Sequence, residues 1–289
     1  MSLVKRPLAG HHYLAAITTL ARRVRREDSL AGLYEVADFH WWWREDEAPD
    51  PELQLFWWDE AGGPVAALLL YDDGTKWTCD FIRIPSEEER IAVEVLPHVL
   101  ERLADLNSPA TLTVREDDAL LRDALAARGW SPTAGGTIQM CLGGGSATSP
   151  RLPPGFHFSV RAQLSDSPHP MTLAKRNPLA MERRLWASAV YRADLDYAIW
   201  HESGALSAYA LFWFDPETGV GLVEPMRTEA AFQRQGLGRA LLTEGIRRLQ
   251  GEGATSIRVS YLQTNAAARS LYRSCGFRDL FRKLEYAHA

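Results

Sequence analysis

The sequence predicts an α/β fold in two halves, each a mixed, mostly antiparallel sheet flanked by helices. Three observations carry this reading. Strand-like and helix-like runs follow one another in the same order twice, a glycine-, serine- and proline-rich break divides the chain near its middle, and both halves close on the same small motif. The break is Gly143-Gly144-Gly145-Ser146-Ala147-Thr148-Ser149-Pro150, followed by Pro153-Pro154-Gly155. Glycine and serine resist ordering and the prolines exclude helix, so residues 143–155 are expected to link a domain of residues 1–142 to one of 156–289.

Length and composition agree. A chain of 289 residues suggests two domains, and 46% hydrophobic with 24% charged residues is ordinary for a globular protein with a sizeable core. The formal net charge of -5 argues against a generic binder of nucleic acid or anionic membrane. Cys79, Cys141 and Cys275 lie far apart, which gives neither a disulfide framework nor a metal site. His157, His169 and His201 show no metal-ligand spacing, so no metal is expected. Without a signal-peptide core or an apolar run of membrane-spanning length, a soluble, reduced, cytoplasmic protein is the expectation. Oligomeric state stays open between monomer and homodimer. The run Trp41-Trp42-Trp43 is expected to pack in a core rather than face a partner domain. Arg22, Arg23, Arg25 and Arg26, interleaved with Leu20 and Val24, read as a solvated helix face.

In the C-terminal half a helical stretch is expected first, then strands over 197–201 and 206–214, separated by the hairpin signal Glu202-Ser203-Gly204. The second run is apolar on both alternate faces, as in a strand covered on both sides. A strand over 220–228, a helix over 236–250, a strand over 256–262, a helix over 265–275 and a strand near 280–286 follow. The N-terminal half repeats the theme with strands over 53–58, 65–71 and 77–84 and a helix over 88–104. A strand over 111–114, a helix over 117–128 and a strand over 137–142 complete it. The last helices end in Arg128-Gly129-Trp130 and Cys275-Gly276-Phe277, where glycine stops the helix and the aromatic returns to the core. Placing Trp130 on Phe277 gives an offset of 277 − 130 = 147, which also lays Leu112 on Val259. An internal duplication is the simplest account.

The chemistry is concentrated in Gln233-Arg234-Gln235-Gly236-Leu237-Gly238-Arg239-Ala240, at a strand-to-helix junction. Amides at a helix start have no internal partners, and glycines let a ligand approach the backbone, so such a turn binds phosphate. Arg234 and Arg239 would add charge-assisted contacts. The turn is neither a Walker loop nor a dinucleotide fingerprint, and alone it could serve packing only. A second element follows in Asn265-Ala266-Ala267-Ala268-Arg269-Ser270-Leu271-Tyr272. Asn265 sits at an N-cap, and Tyr272, nearly two turns on, projects from the same face roughly 10 Å along the axis. So spaced, the pair could meet the middle and the reactive end of one extended ligand.

Together these elements resemble the GNAT acyltransferases, whose Gln/Arg-x-x-Gly-x-Gly/Ala pattern matches Gln233 to Gly238 and whose later Asn…Leu-Tyr…Gly-Phe matches Asn265, Leu271-Tyr272 and Gly276-Phe277. The resemblance implies a splayed sheet that takes up acetyl-CoA or another acyl-CoA, its pantetheine paired with main-chain groups of Met226, Arg227 and Thr228 and its pyrophosphate held by Gln233 to Ala240. Pro225 suits a strand whose pairing is interrupted. The implied reaction is direct attack of an amine on the thioester, with a strand N–H, that of Met226, stabilising the oxyanion and Tyr272 as the general acid. Glu224 is the candidate base, with a structural or substrate-orienting carboxylate as the equal alternative. Asp194 and Asp196 are weaker candidates, expected to be surface or turn carboxylates.

At the offset of 147, Gly236, Gly238, Asn265 and Tyr272 fall on Glu89, Ile91, Asp118 and Leu125. Glu87-Glu88-Glu89 would put negative charge where pyrophosphate should lie, so the N-terminal half is expected to be a degenerate GNAT-like domain without CoA. Tandem GNAT proteins such as mycothiol synthases are similar in arrangement, which does not transfer their substrate. The expected partner is a small amine-bearing acceptor. Peptide or protein N-acetylation and a non-catalytic CoA-binding sensor or interaction module are the alternatives.

Overall fold

The computed structural model describes residues 2–43, 51–106, 108–144, 148–164 and 167–288. Its N-terminal half runs β1 (Val4–Pro7), α1 (Gly10–Glu27), α2 (Val36–Trp42), β2 (Gln54–Trp58), β3 (Pro64–Asp72), β4 (Trp77–Arg83), α3 (Glu88–Glu94), α4 (Leu96–Ala104), β5 (Ala110–Arg115), α5 (Ala119–Ala126) and β6 (Ser131–Gly143). The C-terminal half runs β7 (Phe156–Val160), α6 (Pro170–Leu173), α7 (Leu179–Ala187), β8 (Asp196–His201), β9 (Leu206–Asp215), β10 (Val220–Thr228), α8 (Leu237–Gly251), β11 (Ser256–Leu262), α9 (Ala266–Ser274) and β12 (Arg278–His288). Within the expected linker, residues 145–147 lie outside the described residues. No helix among the described residues is long and apolar enough to cross a membrane.

Two local readings are corrected. The helix expected over 88–104 is broken at Val95, because Pro97 lacks the N–H that a continuous helix needs and sits in the first turn of α4. The C-terminal half opens not with a helix but with β7, an edge strand whose residues are all at least partly exposed. Its alternation of Phe156, Phe158 and Val160, which pack partly against the C-terminal core, was a strand signal, but one only five residues long.

Among the described residues twelve strands form one sheet, in the order β1-β2-β3-β4-β5-β12-β6-β11-β10-β9-β8-β7. The order reveals an exchange. β12, the last strand of the chain, pairs with β5 of the N-terminal half, while β6, the last strand of that half, pairs with β11. β6 and β12 also pair with each other. Each half is thus completed by a strand from the other, and a continuous ladder of backbone hydrogen bonds crosses the seam.

Side chains tie the seam as well. The arginines of α1, expected on a solvated face, instead reach partners. Arg22 donates from Nε and Nη2 to Asp215 at 3.2 and 2.9 Å, and Arg25, buried, pairs with Glu35 at 2.5 Å. A carboxylate brought opposite by the fold turns a charge run into a brace, which no local pattern announces. The tryptophan run divides similarly. Trp43 is buried in the N-terminal core, whereas Trp41 packs on the C-terminal cluster of Trp213, Leu211 and Leu222.

The central strand β9 explains its doubly apolar sequence. Ala208, Ala210 and Phe212 face α8 and α9, with Leu241, Leu242, Leu249 and Tyr272; Tyr209, Leu211 and Trp213 face α2, α6 and α7, with Ala37, Met171 and Leu185. The C-terminal sheet is therefore covered on one face by its own helices and on the other partly by α2 of the N-terminal half.

Candidate active site

β10 and β11 run parallel, yet they pair only from Val220–Ser256 to Leu222–Arg258. Beyond that point β10 stays with β9 (Met226 opposite Ala210, Thr228 opposite Ala208), and β11 stays with β6 as far as Leu262. The two strands therefore diverge, leaving the β11-facing edge of residues 223–228 without a ladder partner. The break has a local cause. Pro225 has no N–H to offer, and the register to β9 shifts between Val223 and Met226. An extended ligand carrying amides could add to this edge as a strand would.

At the end of β10 the chain passes into α8 through the glycine-containing turn. Gly236 is the residue before the helix and holds φ at 83°, a conformation that L side chains rarely adopt. Gly238 is needed for space: a Cβ there would stand 3.3 Å from Leu271 Cδ2 and Thr228 Oγ1 and 3.7 Å from Met226 Cε. The first helical bond in the turn runs from the Ala240 amide to the Gly236 carbonyl, so the amides before it are left for a ligand. Gln233, Arg234, Gln235, Gly236 and Arg239 are exposed, whereas Leu237 and Ala240 are buried and anchor the turn. Gln233 and Gln235 spend their side-chain amides on the turn itself, donating to the carbonyls of Thr228 and Ala231 at 3.3 and 3.5 Å.

Across the divergence stands α9. Asn265 caps it, its Oδ1 accepting from the Ala268 amide at 3.0 Å. Tyr272 is buried, with its ring 6.3 Å from that of Tyr261 and 6.0 Å from that of Phe277. Its hydroxyl is held protonated by burial first and by the charge of Glu224 second. That second cause brings together the two residues singled out as acid and base. Glu224 is half-buried; burial raises its pKa to about 7, Asp38 adds to the rise, and Lys283 opposes it.

Asp194 and Asp196 part company. Asp194 pairs with Arg192 on the surface. Asp196, expected near the surface too, is 1% exposed; its Oδ2 accepts from His169 Nε2 and Tyr191 Oη, each at 2.7 Å. The Met171 amide donates to His169 Nδ1 at 3.1 Å, which places the ring proton on Nε2. This cluster fastens α6 to β8. Among the described residues no group of His, Cys, Asp and Glu could hold a metal ion.

Two residues whose charge acts on Glu224 escaped the sequence reading. Asp38 lies on α2 and Lys283 on β12, far from Glu224 in sequence. The one available signal was a lysine at a position that alternates with core residues of a strand (Phe281, Lys283), which reads equally well as an edge.

The N-terminal half repeats the divergence. β4 and β5 pair from Trp77–Ala110 to Asp80–Thr113 and then separate, while β5 stays with β12 from Ala110 to Arg115. The resulting crevice, about 720 Å³, is lined by Arg83, Glu88, Glu89, Arg115, Asp117 and Asp118, among others. Asp118 caps α5 as Asn265 caps α9, and it also takes both ends of the Arg83 guanidinium at 2.7 and 2.8 Å. Leu125, in the place of Tyr272, is fully buried.

Comparison with known proteins accords with this geometry. Residues 162–277 match the model of the acetyltransferase (GNAT) family. A GCN5-related N-acetyltransferase from Sphaerobacter thermophilus superposes with a TM-score of 0.66 at 13% identity, over 99% of this chain and 95% of that one. A tandem GNAT protein from the clavulanic acid biosynthesis pathway gives 0.66 at 14% identity, over 99% and 98%. An acetyltransferase of the GNAT family from Colwellia psychrerythraea gives 0.63 at 12% identity, over 99% and 100%. At these identities the likeness is one of fold. No curated protein matches the chain.

Proposed function

We propose, from the match of residues 162–277 to the acetyltransferase (GNAT) family and the likeness in fold to a tandem GNAT protein, that the chain transfers an acyl group, acetyl above all, from acyl-CoA to the amine of a small-molecule acceptor. The divergence of β10 from β11 after Leu222, ending in a turn of unpaired amides, is the observation that carries this reading. Pantetheine would add to the free edge of Met226, Arg227 and Thr228. The pyrophosphate would lie on the amides and arginines of residues 234–239, at the positive end of α8. The division into an N-terminal domain (1–142), linker (143–155) and catalytic domain (156–289) belongs to the same proposal, with the last strands exchanged.

The acceptor arrives as an ammonium ion and must lose a proton. Glu224, with an affinity raised to about 7, can take it near neutral pH and release it again. The amine nitrogen then bonds to the thioester carbon, and the carbonyl pair moves onto oxygen, where the Met226 amide would receive it. As the C–S bond breaks, its electron pair leaves with sulfur. Tyr272, kept protonated by its surroundings, would hand the thiolate a proton as the oxyanion pair re-forms the carbonyl. The tyrosinate would regain one from the nitrogen, which leaves attack with one proton in excess, so that amide, thiol and tyrosine all end neutral.

The test is thiol release from acetyl-CoA across panels of small amines and of peptides. Turnover with small amines supports the proposal. Turnover with peptides only moves the acceptor class, and binding without any turnover overturns it.

A further inference from the structure

The sheet edge formed by β7 and β8 carries a cavity that the proposed reaction does not use. Phe156, Phe158, Val160, Tyr197 and Ile199 pack into the cluster that holds Leu241 and Leu249 of α8. By alternation Ser159, Asp196, Ala198 and Trp200 face the opposite side, where Met171 of α6 packs against Tyr209, Leu211 and Trp213 of β9. Between α6 and the two edge strands lies a cavity of about 460 Å³, lined by Ser159, Asp196, Ala198, Trp200, Pro170 and Leu173 among others.

The cavity is largely apolar, and its one buried carboxylate is incompletely used. Asp196, 1% exposed, spends Oδ2 on His169 and Tyr191, whereas its Oδ1, buried as well, has no hydrogen-bond partner among the described residues. Both donors to Oδ2 are neutral, because His169 Nδ1 accepts from the Met171 amide. Arg161, also at the cavity, is paired with Glu182 at 3.3 Å, and the charges of those two cancel. The negative charge of Asp196 is thus left over. A carboxylate taken out of water with one oxygen unmet is costly, and a cation placed against it offsets that cost. The Trp200 indole donates to Ser159 Oγ at 2.8 Å, which leaves the Ser159 hydroxyl proton to be donated onward.

We propose that this cavity is a second binding site, which takes a small primary ammonium ion with an apolar body. The ammonium meets Asp196 Oδ1, and the body lies between Trp200, Pro170 and Leu173. The site is apart from the proposed reaction centre. Asp196 is paired opposite Leu211 of β9, and β10 is one strand further, so two strand spacings, roughly 10 Å, separate Asp196 from β10. α6 stands between them, with Met171 fully buried against β9.

The test is a ¹⁵N–¹H NMR titration of the whole chain, read at the Trp200 indole signal, which is assigned by its loss in Trp200→Phe. The probes are phenethylammonium and isopentylammonium chlorides, with phenethyl alcohol and isopentyl alcohol as neutral counterparts of similar shape. At least one ammonium probe should shift the signal saturably, and its alcohol should bind about tenfold or more weakly. Asp196→Asn, which removes the charge at nearly constant shape, should weaken the ammonium about tenfold or more. Circular dichroism checks the fold of that variant; if it does not fold, the comparison of ammonium with alcohol in the wild type decides alone. A Trp200 signal unmoved by both ammonium probes at millimolar concentration overturns the proposal. So does an alcohol that binds as tightly as its ammonium, or an unchanged ammonium affinity in folded Asp196→Asn. Turnover is not read, so the result stands apart from that of the acyl-transfer test.

Discussion

Two crevices open in the same sheet, one after Leu222 between β10 and β11, the other after Asp80 between β4 and β5. At the mouth of the first stand a glycine turn, free amides and two exposed arginines; at the mouth of the second stand Glu88 and Glu89 and an arginine already taken by Asp118. The helix behind the first has 15 residues and that behind the second has 7, so the favourable dipole is reduced as well as countered. A strand divergence is thus an architectural consequence of the topology. On the proposed reading, whether it receives a diphosphate depends on a handful of side chains at the helix start.

Tyr272→Phe should break this comparison most sharply. It makes the C-terminal crevice resemble the N-terminal one at Leu125 while leaving the ring in place. Turnover is expected to fall about 100-fold or more, with CoA affinity within about twofold of wild type, by steady-state kinetics and calorimetry. Glu224→Gln is expected to lower kcat/KM by about tenfold to 100-fold. In the wild type, log kcat/KM should rise with unit slope as pH approaches 7 and level off above it. The carboxylate must be ionised to accept a proton, and its raised pKa puts that change near 7. In Glu224→Gln a pH profile should lack this limb.

Gly238→Leu sharpens the other side. The new side chain would meet Leu271, Thr228 and Met226, and CoA affinity should drop about tenfold by titration calorimetry. The reverse exchange, Ile91→Gly with Glu89→Gly, should create no second site, because Glu88 and Asp118 remain; calorimetry should still give one CoA per chain. The smallest effect is expected of Arg22→Ala, which removes the bidentate contact from α1 to Asp215. With both partners mostly buried, a loss of about 1 kcal/mol, seen as a melting temperature a few degrees lower, is expected.

What could be foreseen from sequence was what is local. Period and turn chemistry located β9, β10, α8 and β11, and Gly129-Trp130 and Gly276-Phe277 both close their helices as the duplication implies, the aromatic amides returning to the carbonyls of Leu125 and Tyr272. The exchange of β6 and β12 was hidden, because a strand's pattern tells which faces are buried and not which neighbour it pairs with. Contacts between the halves were hidden with it: Lys283 of β12 on Ser260 of β11, and Arg22 of α1 against Asp215 of β9. Asp196 was misjudged for a related reason, since a carboxylate at a strand start looks like a turn residue until His169 and Tyr191 are brought to it.

The central claim is that a diphosphate rests on the amides that begin α8, and a crystal structure of the chain with CoA tests it most directly. The account predicts phosphate oxygens within hydrogen-bond distance of the main-chain nitrogens between residues 234 and 239, with the pantetheine beside Met226 and Thr228. CoA bound instead between β4 and β5, or seated on the protein with its phosphates away from that turn, would contradict it.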